Sequence, residues 1–456
     1  MKRKDFGEEI PGVLEGNAFL FFGQRISIVV FAVFLIFLAS GNVFAYNIEG
    51  NGNCNCANCS DCTDALNDNI NCNSTVKLNQ RITDFDGNCI DNPTNFNNKI
   101  FDCQGHTIEG DGSGYDGGIY LNSRQNNTIK NCIIRNLNYG IYLYYSSNNN
   151  TLTNNTANSN SLYGIYLYSS SNNTLTNNTA NSNSQYGILL HSSSNNNTLT
   201  NNTANSNGGD GILLYSSSNN NTLTNNTANS NINYGIYLLS SSNNNITNNT
   251  ANLNNISGIV LGFSSNNSLT NNTANLNNVT GIYIFGNSNF NKILNNKILN
   301  NGKTGITLSN CGFWGHCYDN AGNSNNIIKD NKILNNNVGI FSHQSNSTIN
   351  NNVVCRNANL DFNSSAWQSS SGDNNTCNNS DGWNDTSVTG CKISCNCINF
   401  DFDNDNKVDI FDVVAGLEHL KEEKMIYNKW CSARNYNEID LFDLLILIEK
   451  IGMNTV

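Results

Sequence analysis

Short stretches of alternating apolar and polar residues return about every 23 residues through the middle of the chain. In one copy, Ile165 and Leu167 alternate with Tyr166 and Tyr168, and this period of two predicts a strand with one buried face. A second short strand follows around Leu175, and glycine, asparagine and serine fill the corners, as turns favour. The glycine of the first strand recurs at Gly118, Gly140, Gly164, Gly187, Gly211, Gly235, Gly258, Gly281 and Gly305, with an irregular last copy at Gly339.

A fixed period in this range indicates one unit stacked on copies of itself. A coil with two or three short strands is the unit of a parallel β-helix, so we predict an all-β rod of about ten coils. Leucine-rich repeats have a similar period, but the additional leucines and helix-forming residues of that class are missing here.

One asparagine column supports the stacked arrangement. We expect these residues to occupy coil corners in the left-handed conformation that asparagine tolerates, each bonding its equivalents above and below. The column comprises Asn155, Asn178, Asn202, Asn226, Asn249, Asn272 and Asn296.

The beginning of the chain predicts export. A basic start precedes an apolar run over residues 26–40, and Val43-Phe44-Ala45 is typical of a secretory cleavage site. The run is shorter than the roughly 20 residues that span a bilayer, which favours a cleaved signal peptide. An uncleaved anchor is the alternative, and it would be the chain's only contact with a membrane.

Sixteen cysteines fit an exported protein, because disulfides persist in oxidising compartments. Eight precede the regular repeats and eight follow them, so we expect disulfides to cross-link both ends, with a pairing that spacing cannot define. The spacing of Cys56, Cys59 and Cys62 could also hold zinc, but no suitably placed histidine accompanies them.

The net charge of −11 and the lack of a basic stripe exclude a nucleic-acid partner. Between Arg135 and Lys292 the only titratable side chains other than tyrosines are His191 and Asp210. These two lie in different coils and phases, so we interpret them as ordinary surface or turn residues. Outward tyrosines on the first strand fit either a plain strand surface or stacking against sugar rings; they are Tyr142, Tyr166, Tyr237 and Tyr283.

Two places could carry catalysis or ligand binding. Acid–base cleavage of a polysaccharide needs carboxylates, and the first coils hold an acid-rich patch that turn chemistry also explains, made of Asp102, His106, Glu109, Asp111 and Asp116. The second place is an insertion between Gly305 and Gly339. We expect Cys311 and Cys317 to close a loop there that either binds a glycan or caps the last coils, through Phe313, Trp314, His316 and Tyr318.

Near the C-terminus an acidic segment fits a 12-residue calcium loop. Position 6 is Asn406 instead of glycine, and position 12 is Asp instead of Glu. Five acids so close together would repel one another without a cation, so we expect Ca²⁺ binding to be coupled to folding. The predicted ligands are Asp401, Asp403, Asp405, the carbonyl of Lys407, Asp409 and Asp412.

Two family resemblances follow from these motifs. The Gly-Ile-x-Leu and Leu-Thr-Asn-Asn-Thr segments over residues 98–360 resemble the right-handed parallel β-helix repeats of secreted archaeal NosD-like proteins, which implies carbohydrate binding or sugar hydrolysis. The segment Val408-Asp-Ile-Phe-Asp-Val-Val recurs as Ile439-Asp-Leu-Phe-Asp-Leu-Leu, and this duplicated loop and helix resembles a dockerin.

A dockerin implies a cohesin-bearing scaffold as the partner. Its second loop here has Ser432, Arg434 and Tyr436 at ligand positions, which implies one Ca²⁺ in total. The resemblance implies that the partner is contacted through Ile410, Phe411, Leu441 and Phe442, although packing between the two helices also explains them.

These observations divide the chain into five segments. They are a signal peptide or anchor (1–45), a Cys-rich N-terminal cap (46–97), the β-helix (98–360), a Cys-rich C-terminal cap or linker (361–397) and a dockerin-like domain (398–456). We expect a secreted or surface protein that binds carbohydrate or acts as a spacer and docks onto a cohesin scaffold. The alternative is a polysaccharide hydrolase or lyase.

Overall fold

The computed structural model describes residues 45–311, 323–343, 346–364, 367 and 370–395. The predictions for the N-terminal signal or anchor, the aromatic loop residues 313–318 and the dockerin-like segment lie outside these residues. Across the described ranges, no helix has the length and apolar character needed to cross a bilayer.

The described chain forms a solenoid of about 13 turns, whose strands stack in parallel into long sheets. The exception is the first strand, Asn47–Gly50, which pairs antiparallel with the second. Sheet one has fifteen strands: β1 Asn47–Gly50, β2 Asn53–Cys56, β3 Thr75–Leu78, β6 Ile100–Asp102, β9 Thr128–Lys130, β12 Thr151–Thr153, β15 Thr174–Thr176, β17 Thr198–Thr200, β19 Thr222–Thr224, β21 Asn245–Thr247, β23 Ser268–Thr270, β25 Lys292–Leu294, β28 Ser324–Lys329, β31 Asn346–Asn350 and β34 Ser371–Asp373. Sheet two has twelve: β5 Ile90–Asp91, β8 Gly117–Asn122, β11 Tyr139–Tyr144, β14 Tyr163–Tyr168, β16 Tyr186–His191, β18 Ile212–Tyr215, β20 Tyr234–Leu239, β22 Ser257–Gly262, β24 Thr280–Phe285, β27 Thr304–Ser309, β30 Val338–Ser342 and β33 Leu360–Ser364. Two shorter sheets lie on the third side: β4 Ile82–Phe85, β7 Thr107–Gly110, β10 Ile133–Arg135 and β13 Thr156–Ala157, then β26 Lys297–Leu299, β29 Lys332–Leu334 and β32 Val353–Cys355.

The core follows the alternation in the sequence. Ile165 and Leu167 pair in register with Ile188 and Leu190 of the next coil, and all four are completely buried. The repeated glycine is needed because atoms of the neighbouring coils approach its backbone closely. A Cβ on Gly164 would lie 2.7 Å from the carbonyl oxygen of Ala157, which is closer than side chains tolerate.

The asparagine column forms the predicted ladder. Asn202 donates through Nδ2 to Asn226 Oδ1 at 3.0 Å and to the Leu175 carbonyl at 2.9 Å. Its own Oδ1 accepts from the backbone N and from Nδ2 of Asn178, both at 3.0 Å. The predicted left-handed backbone was wrong for these residues. The exposed residue before each one, such as Asn201 at φ 54°, takes that conformation, so the following amide points inward.

Further ladders follow the same spacing. Two more asparagine columns and one serine column are buried and bonded from coil to coil. One column contains Asn150, Asn173, Asn197, Asn221, Asn244, Asn267, Asn291 and Asn326; another contains Asn160, Asn183, Asn207, Asn231, Asn254, Asn277, Asn301, Asn336 and Asn357; the serines are Ser147, Ser170, Ser194, Ser218, Ser241, Ser264 and Ser288. These polar side chains hydrogen-bond to one another and to the backbone. The corners can therefore be buried without leaving unpaired polar groups.

Disulfides cross-link both ends of the described chain, as predicted. The pairs are Cys54–Cys72, Cys56–Cys62, Cys59–Cys89, Cys103–Cys132, Cys355–Cys395 and Cys377–Cys391. Cys56, Cys59 and Cys62 are therefore all in disulfides. The helix α1, Cys59–Asn67, starts at Asn58, whose side chain accepts from the Asp61 backbone N and so caps the first turn.

The parallel stack is longer than the sequence predicted. It starts where β2 pairs with β3, well before residue 98, and isolated parallel bridges continue it as far as Ile393. The segments expected as separate caps thus contribute their own coils to the rod.

Candidate functional site

The acid-rich patch of the first coils is spread over different sides of the solenoid. Asp102 ends β6 on sheet one, and Glu109 lies on β7 of the third side. Asp116 directly precedes β8 on sheet two, and His106 lies between β6 and β7. The predicted residues are thus close in sequence but do not face one common cleft.

All four carboxylates of the patch already have protein partners, as Asp102 and Glu109 illustrate. Asp102 accepts from Asn131 Nδ2 at 2.9 Å and lies 3.3 Å from Lys130 Nζ. Although burial opposes ionisation, these contacts hold the pKa of Asp102 below its usual value. Glu109 bonds Arg81 and Arg135, and the Arg81 contact contributes most to lowering its pKa.

Asp111 and Asp116 complete the patch in different ways. Asp111 accepts from the Ser113 backbone N and hydroxyl within an exposed turn, which lowers its pKa. Asp116 is buried, accepts from the Asn138 backbone N at 2.8 Å, and has its pKa raised by burial. In the described chain no group of three or more His, Cys, Asp or Glu side chains could hold a metal ion. The patch therefore supplies neither a joint acid–base pair nor a cation site.

A different surface, which we call the tyrosine face, is the outward side of sheet two from β8 to β24. Its side chains form three columns that run from coil to coil. Column one contains Tyr139, Tyr163, Tyr186, Asp210 and Tyr234; column two contains Tyr120, Tyr142, Tyr166, Leu189, Leu213, Tyr237, Val260 and Tyr283; column three contains Asn122, Tyr144, Tyr168, His191, Tyr215, Leu239, Gly262 and Phe285. The sequence predicted Tyr142, Tyr166, Tyr237 and Tyr283 of column two, whereas Tyr120 and the two neighbouring columns were missed.

The rings of this face pack against one another. Tyr142 and Tyr166 are stacked, with centroids 4.6 Å apart and planes 9° apart. In column one, Tyr163 and Tyr186 are stacked at 5.3 Å. Neighbouring columns also contact each other, since the ring centroids of Tyr139 and Tyr142 are 5.1 Å apart. Parallel strands place equivalent residues about 4.8 Å apart. Tyrosines at equivalent positions of successive coils therefore pack into one aromatic surface.

Burial raises the pKa of several phenols of the tyrosine face, including those of Tyr139 and Tyr186. Burial, with a smaller contribution from neighbouring tyrosines, raises the pKa of Tyr139 to about 12. Burial together with Asp210 does the same for Tyr186. Each ring therefore offers an apolar side and a hydroxyl that can donate or accept a hydrogen bond.

His191 and Asp210 both belong to this face, and for Asp210 the expectation of an ordinary surface or turn residue was wrong. His191 stacks on Tyr215 at 4.8 Å, and its Nδ1 lies 3.1 Å from the Tyr166 hydroxyl. Burial lowers the pKa of His191. Asp210 takes a tyrosine position in column one and is only 3% exposed. The register keeps the two apart, because His191 pairs with Tyr215, five residues beyond Asp210.

The remaining predicted site residues lie outside the described part of the chain. These are the loop residues Phe313, Trp314, His316 and Tyr318, the calcium ligands Asp401, Asp403, Asp405, Lys407, Asp409 and Asp412, and the partner contacts Ile410, Phe411, Leu441 and Phe442.

The stacked coils define a parallel β-helix with one outer side that is rich in aromatic rings. More particularly, the chain belongs to the family described as right handed beta helix region, whose model matches residues 114–228, 174–314 and 222–406. These matches together span more than half of the 456 residues. The all-β prediction and the predicted handedness are thereby confirmed. No curated protein sequence matches the chain.

Several solved structures are similar to parts of the chain. The mannuronan C-5 epimerase AlgE4 A-module of Azotobacter vinelandii is 19% identical, with a TM-score of 0.43 over 61% of this chain and 75% of the other. The surface adhesin PfbA of Streptococcus pneumoniae is 13% identical, with a TM-score of 0.46 over 73% of this chain and 94% of the other. The Dettilon tailspike protein is 15% identical, with a TM-score of 0.45 over 55% of both chains.

Proposed function

We propose that this protein is an extracellular glycan-binding β-helix that binds a neutral polysaccharide along its tyrosine face. The observation that carries the proposal is the set of tyrosine rings that recur in successive coils of sheet two. Between residues 135 and 292, Asp210 and His191 are the only other titratable side chains. A sugar ring has an apolar side that packs on an aromatic ring and hydroxyls that bond phenols at its rim.

The shape of the surface favours a polymer over a small ligand. Rings recur in successive coils from β8 to β16 and again at β20, so several sugar units in a row could each contact one or two side chains. Small-molecule sites are instead concave, with few polar groups that converge on one point. A charged polysaccharide is disfavoured because the face provides no cation to pair with it.

Export is supported by the chemistry of the chain. The disulfides at both ends of the described residues persist only in an oxidising compartment. The signal-like segment before residue 46 is in agreement with this. The protein would therefore meet glycans outside the cell.

We include in the proposal that the segment 398–456 is a dockerin-like domain that binds one Ca²⁺ and a cohesin-bearing scaffold. The donor set of Asp401, Asp403 and Asp405, with the Lys407 carbonyl, Asp409 and Asp412, suits a hard cation that prefers oxygen. The rod would then present its glycan-binding side from a larger assembly. Hydrolase or lyase activity is less well supported, because the carboxylates of the described first coils face different sides.

The glycan proposal is tested with the full mature chain on a glycan array, followed by titration calorimetry with each glycan bound. We expect neutral polysaccharides to bind and Tyr142→Ala with Tyr166→Ala to weaken binding at least tenfold. The matched control is Thr176→Val with Thr200→Val on sheet one, which should leave affinity unchanged. No binding by the wild type, or equal loss in both double variants, contradicts the proposal.

The docking proposal is tested by pull-down of the full chain with a panel of cohesin domains in Ca²⁺ and in chelator. We expect capture only in Ca²⁺, and its loss in Asp401→Ala. The glycan-binding variant with Tyr142→Ala and Tyr166→Ala is the control, and it should be captured like the wild type. Capture that persists in chelator and in Asp401→Ala overturns the docking model.

A further inference from the structure

Asp210 interrupts an otherwise aromatic column. Column one reads Tyr139, Tyr163 and Tyr186 before it and Tyr234 after it. Tyr186 and Tyr234 are thus two coils apart, about twice the strand spacing of roughly 4.8 Å. One ring packed between two aromatic rings, at centroid distances of about 4.5–7 Å on each side, fits that separation.

The carboxyl group at this interruption is buried and only partly bonded. Asp210 is 3% exposed, and its Oδ1 accepts from the Tyr234 backbone N at 3.1 Å. Among the described residues, no donor bonds the other oxygen, Oδ2. With only Oδ1 engaged by the protein, Oδ2 can accept a hydrogen bond from a ligand.

We propose that Asp210 is the specificity-determining residue of the tyrosine face, accepting hydrogen bonds from hydroxyls of one sugar unit held between Tyr186 and Tyr234. This inference rests on the glycan-binding function proposed above and adds a defined subsite to it. Asp210 is only 3% exposed, so the Tyr186 and Tyr234 rings must move apart to admit the sugar unit between them.

The groups around Asp210 narrow the class of ligand. The facing titratable side chains are Tyr186 and Tyr234, and burial, reinforced by Asp210, raises the pKa of both. No Lys or Arg occurs between residues 135 and 292, so an acidic sugar would meet an unbalanced negative charge here. A neutral sugar with two adjacent hydroxyls supplies donors without charge. A straight, β-linked chain also suits a column that runs straight from coil to coil.

The protonation state of Asp210 makes the subsite dependent on pH. Burial raises the pKa of Asp210 from 3.8 to about 7 in the free protein, against the backbone hydrogen bond from Tyr234. The carboxylate accepts hydroxyl donors at both oxygens, whereas the acid form loses part of that capacity. Binding should therefore strengthen as the pH rises through about 7 and weaken below it. His191 lies in column three, outside this contact.

The test uses the full mature chain and calorimetric titration with cellohexaose, mannohexaose, maltohexaose and polygalacturonate at pH 5.5 and 8.5. We expect a β-linked neutral hexasaccharide to bind about tenfold more tightly at pH 8.5. Asp210→Asn keeps the acceptor for the Tyr234 N, so it should fold with an unchanged melting temperature. It should nevertheless bind about tenfold more weakly at pH 8.5 and lose the pH dependence.

Two further variants separate the explanations. Asp111→Asn makes the same chemical change in an exposed turn away from the face and should bind like the wild type. Asp210→Tyr completes the aromatic column and should also abolish the pH dependence. Wild-type binding that is equal in Asp210→Asn and independent of pH overturns the subsite but leaves the glycan function intact. If none of the four glycans binds the wild type at either pH, both proposals fail for this class of ligand.

Discussion

Between residues 139 and 291 the rod is stabilised almost entirely by neutral groups, whereas its first coils depend on cross-links and charges. In the middle, buried amides such as Asn178, Asn202 and Asn226 bond from coil to coil. In the first coils, four disulfides and the ion pairs of Glu109 link the coils instead. The regular middle can rely on repetition because every coil finds an identical neighbour, but an end coil has a neighbour on one side only.

The disulfide-linked first coils and the amide ladder of the middle meet at one residue, Cys132. Cys132 takes the position that Asn155 holds in the next coil, and its backbone N still donates to Asn155 Oδ1 at 3.1 Å. Its side chain forms a disulfide with Cys103 instead of continuing the amide ladder. The covalent link thus begins at the coil where the hydrogen-bonded column ends.

The largest effect is expected from breaking the ladder in the middle. In Asn202→Ala the Asn178 backbone N and the Leu175 carbonyl lose buried partners. At about 1–3 kcal/mol for each unpaired group, we expect a loss of about 4 kcal/mol in the free energy of unfolding. Urea unfolding followed by circular dichroism measures it.

The control for the ladder variant lies two residues away in the same coil. Thr200 is on the outward side of β17, so Thr200→Ala should change the free energy of unfolding by no more than about 0.5 kcal/mol. Equal losses in Thr200→Ala and Asn202→Ala would show that the amide column does not stabilise the middle of the rod.

The next effect in size comes from the junction. Cys103 and Cys132 close a loop of 29 residues. Replacing both with alanine should lower the free energy of unfolding by about 3–4 kcal/mol, because the unfolded chain gains conformational entropy without the cross-link. With Cys103→Ala and Cys132→Asn, the new amide can extend the ladder and should recover about 1 kcal/mol. The midpoints of urea unfolding compare the two double variants. If they are identical, the asparagine column cannot replace the cross-link.

Much of the fold could be read from the sequence because it depends on local alternation and on one repeated glycine. Ile165 and Leu167 are buried as their period predicts, and the ladder through Asn202 follows from spacing alone. The left-handed residue was misplaced by one position, from Asn201 to Asn202. Where two asparagines follow each other, their identity does not predict which side chain faces outward, because the packing of the core with the neighbouring coils decides it.

The candidate site was less predictable for a related reason. Asp102, Glu109 and Asp116 are near in sequence, but each corner of the coil moves the next residue to another side. Asp210 shows the opposite case. It is distant in sequence from Tyr186 and Tyr234, yet stacking places it between them and buries it. The signal available in the sequence was its phase, since Asp210 precedes a repeat glycine as those tyrosines do.

The smallest effect is expected at the charged end. Arg135→Ala removes one of two arginines from Glu109, and both partners are partly exposed, so the loss at pH 7 should stay below about 1 kcal/mol. The arginines lower the pKa of Glu109 below 4.5 in the folded state. The stabilisation is therefore present above that value and is lost as the pH falls through the lower, folded pKa. High salt should also remove most of it, because exposed charges are screened. Thermal unfolding of wild type and variant at pH 7 and pH 2.5, with and without 1 M salt, measures this. A difference that stays the same under all four conditions would mean that Arg135 stabilises the end through packing, and the contrast between a charged end and a neutral middle would then not describe how the rod is held together.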